Sequence, residues 1–522
     1  MNNKIRRLFQ VTLLLILLLP IYFLLYKIYI PKVNAFGCFD DCFNIVAGYF
    51  MTKGKTLYSE IFFNHQILMP NISYLIQSFT HPINIYELIL RHRQTVLLLG
   101  LVFNSLIITR FKLVGFMFVL LYEFTKFYLF GDRFLAEGIT VYPLVYLTGL
   151  VWEKYQQKEL NLLDFFLSGI FVWFIIFMRE PLTLVAMAIY FLILSREKRV
   201  RKIISIGIFL VLTILVFSSV NLKDYFNGLM TSLPIIVKSE SESNNLLGLG
   251  LIKVFFYPAF LLFGDKWNIF REVLVGLDLI FLVSLLFVFR FYRNLKLLII
   301  IFLLLGLANL RVIPVGEIFY GAFHMLPWYG MFIIITCLMV KDVYIKKKKV
   351  GLILSSLLII ILGFYIVNPN SFIHDKVSTH NEFITNYGHY LQIGEVVKIL
   401  SDSTDTLFLD GADDLIYWQA DRLSPYKYAW FTGFMNGLPK YTNPRFEMFE
   451  NSPPDFYYRY CSKIEVPSLS LSGDKKVLYQ QLYSNGNPTC LYIKKEKIPK
   501  IPAEKWQKAK EFLYELPPKL SN

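Results

Sequence analysis

Two adjacent carboxylates, Asp40 and Asp41, stand in "GCFDDCFN" (37–44), just past the end of a long apolar segment. Read alone, the pair fits a hydrated loop, or a helix cap at Asp41 ahead of a helix beginning near Cys42. Beside a membrane surface, a carboxylate also suits the removal of a proton from an attacking hydroxyl. Other charged groups stand at the ends of apolar runs in the same way. "GDRFLAEG" (131–138) carries Asp132, Arg133 and Glu137, and "FMRE" (177–180) carries Arg179 and Glu180. "GDKWNIFRE" (264–272) offers Lys266 and Arg271, and "RVIPVGEIFYGAFHMLPWYGMF" (311–332) offers Arg311 and His324. Cations of this kind suit a leaving phosphate whose negative charge grows in the transition state, and a divalent ion would serve the same end. The simpler account is an interfacial ion pair or a snorkelling anchor. Charges facing lipid are costly, however, so some of these groups must face a polar cavity.

The elements that position them are membrane helices. Of 522 residues, 55% are hydrophobic and 17% charged, against about 25% charged in a soluble domain. The net charge of +15 does not point to nucleic acid. The basic residues gather at span ends, as in 196–202, 290–296 and 346–349, and no basic helix interleaved with aromatics emerges. With those clusters on the cytoplasmic side, eleven spans are predicted: 8–30, 94–109, 113–130, 138–152, 162–177, 182–195, 203–219, 273–289, 297–311, 325–340 and 350–367. The N-terminus is then cytoplasmic and the C-terminus outside. The short run 251–263, interrupted by Pro258, reads as re-entrant or interfacial. A membrane domain over 1–367 has two long external loops, 31–93 and 220–272. In the first, an apolar stripe over 42–53 predicts an interfacial helix stopped by Gly54, and 71–92 contributes another. The tail, 368–522, turns polar and Pro-rich, with strand-like runs at 406–410 and 489–495. It predicts a small extracytoplasmic α/β or α+β domain, and "DGADDLIYWQADR" (410–422) reads as its strand-to-helix edge. The five cysteines make no disulfide framework; a Cys461–Cys490 bridge fits an oxidising compartment.

The loop order carries a resemblance. "FDDCFNIVAGYFMTKGKTLYSEIFFNHQILMPNISYLI" runs from acidic pair through amphipathic helix, Gly54, Leu57-Tyr58 and Glu60 to His65, and then into another apolar helix. It resembles the first external loop of GT-C superfamily glycosyltransferases, especially the protein O-mannosyltransferases and lipid A aminoarabinose transferases. Glu60 stands where that family usually has Asp, and Gln66-Ile67 replaces its prolines after His65. The resemblance implies an all-α polytopic GT-C-like enzyme of a bacterial or archaeal plasma membrane. Such an enzyme moves a sugar, with inversion, from a polyprenyl-phosphate donor to a hydroxyl or amine on a protein, lipid or glycan. By the same resemblance Asp40 is the base and Asp41 a supporting residue, with Glu137 or Asp132 as the second acid. Asp41 and Glu137 are also candidates to hold Mg or Mn. Arg311, Arg179, Arg133, Lys266 and Arg271 are candidates for the donor phosphate, and Tyr58, Glu60, His65 and His324 for the substrate loops. Two other classes compete: a transporter or flippase of lipid-linked or small polar substrates, and a polymerase or ligase of lipid-linked glycans. Charges at span ends rather than mid-span, and no visible internal repeat, speak against the transporter.

Overall fold

The computed structural model describes residues 3–32, 40–230, 256–257, 269–292, 295–310, 322–372, 389–410, 415–429, 438–459 and 477–517. Among the described residues, thirteen α-helices form the first part of the chain: α1 (Asn3–Tyr29), α2 (Asp40–Thr52), α3 (Leu68–Thr80), α4 (Ile85–Phe111), α5 (Leu113–Thr125), α6 (Ala136–Tyr155), α7 (Leu162–Met178), α8 (Thr183–Leu194), α9 (Arg199–Ser218), α10 (Ile269–Tyr292), α11 (Leu295–Ala308), α12 (Leu326–Lys346) and α13 (Lys348–Val367). Each of the eleven expected spans falls on one of them. Among the described residues, six helical stretches are long and apolar enough to cross a bilayer: Leu8–Tyr29, Ile85–Phe111, Arg199–Ser218, Ile269–Phe291, Phe323–Lys346 and Lys348–Val367. Leu162–Met178, Glu180–Leu194 and Lys296–Ala308 are apolar but shorter. The chain thus has the helices of a membrane protein, though six crossings rather than eleven meet this criterion. Of the run 251–263, only Phe256 and Tyr257 lie among the described residues, Tyr257 buried edge-on against Trp328.

The centre of the bundle is the pair α6 and α12, both buried on nearly every face. They meet so closely that a Cβ on Gly330 would collide with the Val141 side chain. Small residues let membrane helices pack at this range, where dispersion rather than water release drives association. At the end away from Glu137, ion pairs lace the helices together. Arg110 of α4 grips Asp164 of α7 through Nε (2.7 Å) and Nη2 (3.1 Å), and it meets Glu153 of α6 at 2.7 Å. Asp164 is itself placed by a reciprocal capping box with Asn161. A further polar network is buried inside the bundle. Lys126 Nζ meets Glu123 at 2.6 Å, and Tyr142 and Asn104 donate to the same carboxylate at 2.8 and 2.7 Å.

The tail forms a mixed five-stranded sheet in the order β1-β2-β4-β3-β5, with β1 (Leu407–Asp410), β2 (Phe456–Arg459), β3 (Tyr479–Ser484), β4 (Asn487–Lys494) and β5 (Tyr514–Glu515). Only β1 and β2 pair in parallel. Among the described residues, four α-helices accompany the sheet: α14 (His389–Leu400), α15 (Leu415–Ala420), α16 (Pro439–Asn451) and α17 (Ala503–Glu511). β1 and β4 fall on the two runs expected to be strands, and α15 follows β1 as expected. The tail docks on the first loop of the membrane part. Ala429 N–H donates to the Glu60 carbonyl at 2.7 Å, and Phe62 N–H donates to the Ala429 carbonyl at 3.2 Å. Lys53 meets Asp421 at 2.6 Å, and the Trp418 indole N–H donates to Gln77 at 3.1 Å. The Lys53 ammonium and the Tyr49 hydroxyl outweigh partial burial and hold the Asp421 carboxyl below its ordinary range. Cys42 and Cys490 are both disulfide-bonded, whereas Cys337 is free and buried. Nothing in the sequence singles out Cys42 as bonded, and Cys461, of the expected Cys461–Cys490 bridge, lies outside the described residues.

Candidate active site

Four of the sequence-selected side chains, from four separate connections, converge at one end of the bundle. Glu137 lies in the first turn of α6, where a helix N-terminus favours a carboxylate. Arg179 sits in an extended residue between α7 and a short 3-10 turn, Glu180–Leu182. Pro181 there cannot donate to a continuing helix, so the chain breaks and presents Arg179 sideways. His324 occupies the 3-10 turn Ala322–Met325 that precedes α12. His65 stands just before α3, and its carbonyl accepts from the Tyr58 hydroxyl at 2.8 Å. Tyr58 is buried and holds a positive φ of 67°, a conformation uncommon outside glycine. Its role is to position His65.

Glu137 Oε1 accepts from Arg179 Nε at 2.8 Å and faces His324 Nδ1 at 2.8 Å. Arg179 Nη1 lies 2.8 Å from His65 Nδ1, which in turn lies 3.0 Å from Glu180 Oε1. Those two contacts ask opposite things of one nitrogen. The guanidinium requires Nδ1 to accept, and the carboxylate requires it to donate, so a single proton position satisfies one at a time. Burial alone would raise the Glu180 carboxyl, but His65 and Arg179 outweigh it and hold it at about 2. Glu180 therefore stays ionised throughout the neutral range.

Glu137 and Arg179 form a wall between two water-sized cavities of about 20 Å³ each. One is lined by His324, Pro181, Leu307 and Pro327. The other is lined by His65, Gln66, Asn44 and Met69. Asn44 and Gln66 were not singled out in the sequence. Gln66, standing where the resembled family has proline, accepts from the Tyr225 hydroxyl at 2.7 Å. Asn44 carried a legible signal, since it follows Asp40 by one helical turn.

Asp41, Glu60, Asp132, Arg133 and Arg271 fall elsewhere. The helix begins at Asp40, so Asp41 lies inside the first turn of α2 instead of capping a helix that starts at Cys42. Its carboxylate is fully buried and bonded to Arg93 Nη2 at 3.0 Å. Arg93 went unnoticed because the expected span began at 94, whereas α4 begins at Ile85, capped by the Asn84 side chain accepting from Glu87 N–H. Glu60 folds back on its own turn, accepting from Thr56 N–H at 2.9 Å. That bond is the main reason its carboxyl is lowered, against slight burial and with help from Lys55. Arg133 is buried beside Asp132 at 3.6 Å, and Arg271 is buried in the first turn of α10. Arg311, Lys266 and the Asp40 side chain lie outside the described residues.

A divalent ion bridging Asp41 and Glu137 does not fit these donors. Asp41 is engaged by Arg93, and Glu137 by Arg179 and His324. Among the described residues no three His, Cys, Asp or Glu side chains converge to hold a metal. Comparison with protein-family models, with curated proteins and with solved structures finds no match.

Proposed function

We propose that this protein is a polytopic membrane glycosyltransferase moving a sugar from a polyprenyl-phosphate donor to a hydroxyl or amine acceptor, with inversion. The reading is carried by one observation: His65, Glu137, Arg179 and His324, from four separate connections, meet in one buried cluster beside small cavities. A structural ion pair needs one acid and one base. A cluster holding a guanidinium, two imidazoles and two carboxylates at helix ends suits a reaction that moves a proton and stabilises a leaving phosphate. In the proposed step the acceptor O–H attacks the anomeric carbon, and its proton passes to the Asp40 carboxylate. The bond from the anomeric carbon to the phosphate oxygen breaks, and the phosphate departs with the electron pair. Arg179 is the cation assigned to the phosphate, oriented by Glu137, with Arg133 and Arg311 as further candidates. His65 and His324 shape the acceptor side.

The proposal includes eleven crossings, with the tail and the cluster on the outer face. The bonded state of Cys42 and Cys490 supports that side, since disulfides persist in oxidising compartments. A reporter active only outside the cytoplasm, fused after Asn522, should give signal. A cytoplasm-only reporter that is active there would sink the topology.

Turnover on a panel of labelled polyprenyl-phosphate monosaccharides tests the reaction. Arg179→Ala should lower it by roughly 10²–10³, the usual loss for one transition-state donor. Arg179→Lys should lose less, since charge survives and fork geometry does not. Equal activity in all three proteins would return Arg179 to a structural role. The runner-up, a transporter of lipid-linked or small polar substrates, draws on Asp278. This carboxylate is fully buried inside α10 with no hydrogen-bond partner among the described residues, and intramembrane carboxylates of that kind often mark transport paths. Substrate uptake into proteoliposomes without any sugar transfer would favour it.

A further inference from the structure

At the other end of the bundle, about 22 Å along α12 from its start at 1.5 Å per residue, the helices part around a cavity of about 560 Å³. Its wall is apolar, including Met117, Leu352 and Leu358 from α5 and α13. Its charged lining residues are two cations, Lys112 and Lys341. Asp342 and Glu153 both attract Lys341, and each is shared with other partners. Asp342 accepts from Trp152 and Gln156, and Glu153 meets Arg110 and Lys158.

Lys112 adds an independent observation. It is the single residue between α4 and α5, with φ 56° and ψ −124°. That combination belongs to the first central position of a type II′ turn, which glycine dominates. A lysine held there is strained, and strain at one residue is a pointer to function when the side chain faces a site. The cavity also lies at the end of the bundle where basic residues gather, Lys346–Lys349 at the junction of α12 and α13 among them.

We propose that this cavity binds an acidic phospholipid, its phosphate held between Lys112 and Lys341 and an acyl chain against the α5 and α13 wall. Charge complementarity selects the occupant: an apolar slot lined by two lysines suits an anionic headgroup joined to a hydrocarbon tail. The inference stands apart from the proposed glycosyl transfer, since it concerns the opposite end of the molecule.

The test is native mass spectrometry of the full chain in detergent, titrated with phosphatidylglycerol, phosphatidylcholine or a polyprenyl phosphate. The protein should retain phosphatidylglycerol in preference to phosphatidylcholine. Lys112→Gly with Lys341→Gln should weaken retention roughly tenfold or more, the weight two lysines carry toward an anionic lipid. Glycine suits the backbone at 112, so folding should survive, as an unchanged thermal midpoint would show. Should the double variant nevertheless unfold, Lys341→Arg with Lys112 intact must keep the lipid, because its charge remains. Equal retention of both phospholipids, or no loss in the folded double variant, would overturn the proposal. So would an equal loss from Lys494→Gln with Lys505→Gln in the tail, which would reduce the effect to net charge. Complete displacement of phosphatidylglycerol by polyprenyl phosphate at equal concentration would assign the cavity to a different lipid.

Discussion

Asp40→Asn should lower turnover by roughly 10²–10⁴ while donor affinity survives, because the amide keeps size and hydrogen bonding but loses basicity. Asp40 opens α2 one turn before Asn44, and Asn44 lines the cavity that His65, Glu137 and Arg179 share. Residues one turn apart lie on the same side of a helix. Asp41, one residue on, is rotated by about 100° and is already bound to Arg93. The two acids of the pair therefore divide their work: the first is the proposed base, the second anchors the helix that carries it. The measurement is turnover per folded molecule together with donor affinity in the same detergent. Near-normal turnover from folded Asp40→Asn would refute the assignment and move attention to His324. Its Nδ1 faces Glu137 in the manner of a base oriented by a carboxylate.

Much of this arrangement is legible in the sequence because the membrane imposes simple rules. Apolar runs locate the helices, and basic clusters mark one end of them. Charged and imidazole residues at the opposite span ends stand out against the apolar runs, which makes Glu137, Arg179, His65 and His324 legible as site candidates. Pairing was not legible. Asp41 and Arg93 are 52 positions apart, and neither sequence neighbourhood names the other. The start of α4 was hidden for a related reason: Arg91, His92 and Arg93 interrupt the apolar window, although Asn84 and Glu87 mark the true N-terminus. The Glu123–Lys126 pair is not legible because the apolar residues around it carry the expected span 113–130 straight through both charges. Here both lie fully buried, satisfied by Tyr142 and Asn104 from neighbouring helices. Hydropathy reports the cost of a charge and is blind to the partner that offsets it.

Breaking the Asp41–Arg93 pair should be among the most destabilising single changes in the protein. Both side chains are nearly inaccessible, at 0% and 1% exposure, and they join α2 to α4 at 3.0 Å. Removing one partner strips the other of a buried counter-charge, a loss that costs about 3–5 kcal/mol. Arg93→Leu, or Asp41→Leu, should therefore lower the thermal midpoint sharply in detergent. The double change Asp41→Leu with Arg93→Met should recover most of that loss, because an apolar pair of similar volume avoids desolvating two ions. The same double variant separates anchoring from chemistry. It keeps Asp40 and the Glu137 cluster, so a folded double variant should retain turnover within about tenfold, a free-energy difference of about 1.4 kcal/mol. Loss of turnover by orders of magnitude in a stable double variant would mean that Asp41 itself takes part in the reaction. In that case the base would have to be sought at Asp41, and Arg93 would become the residue that tunes it.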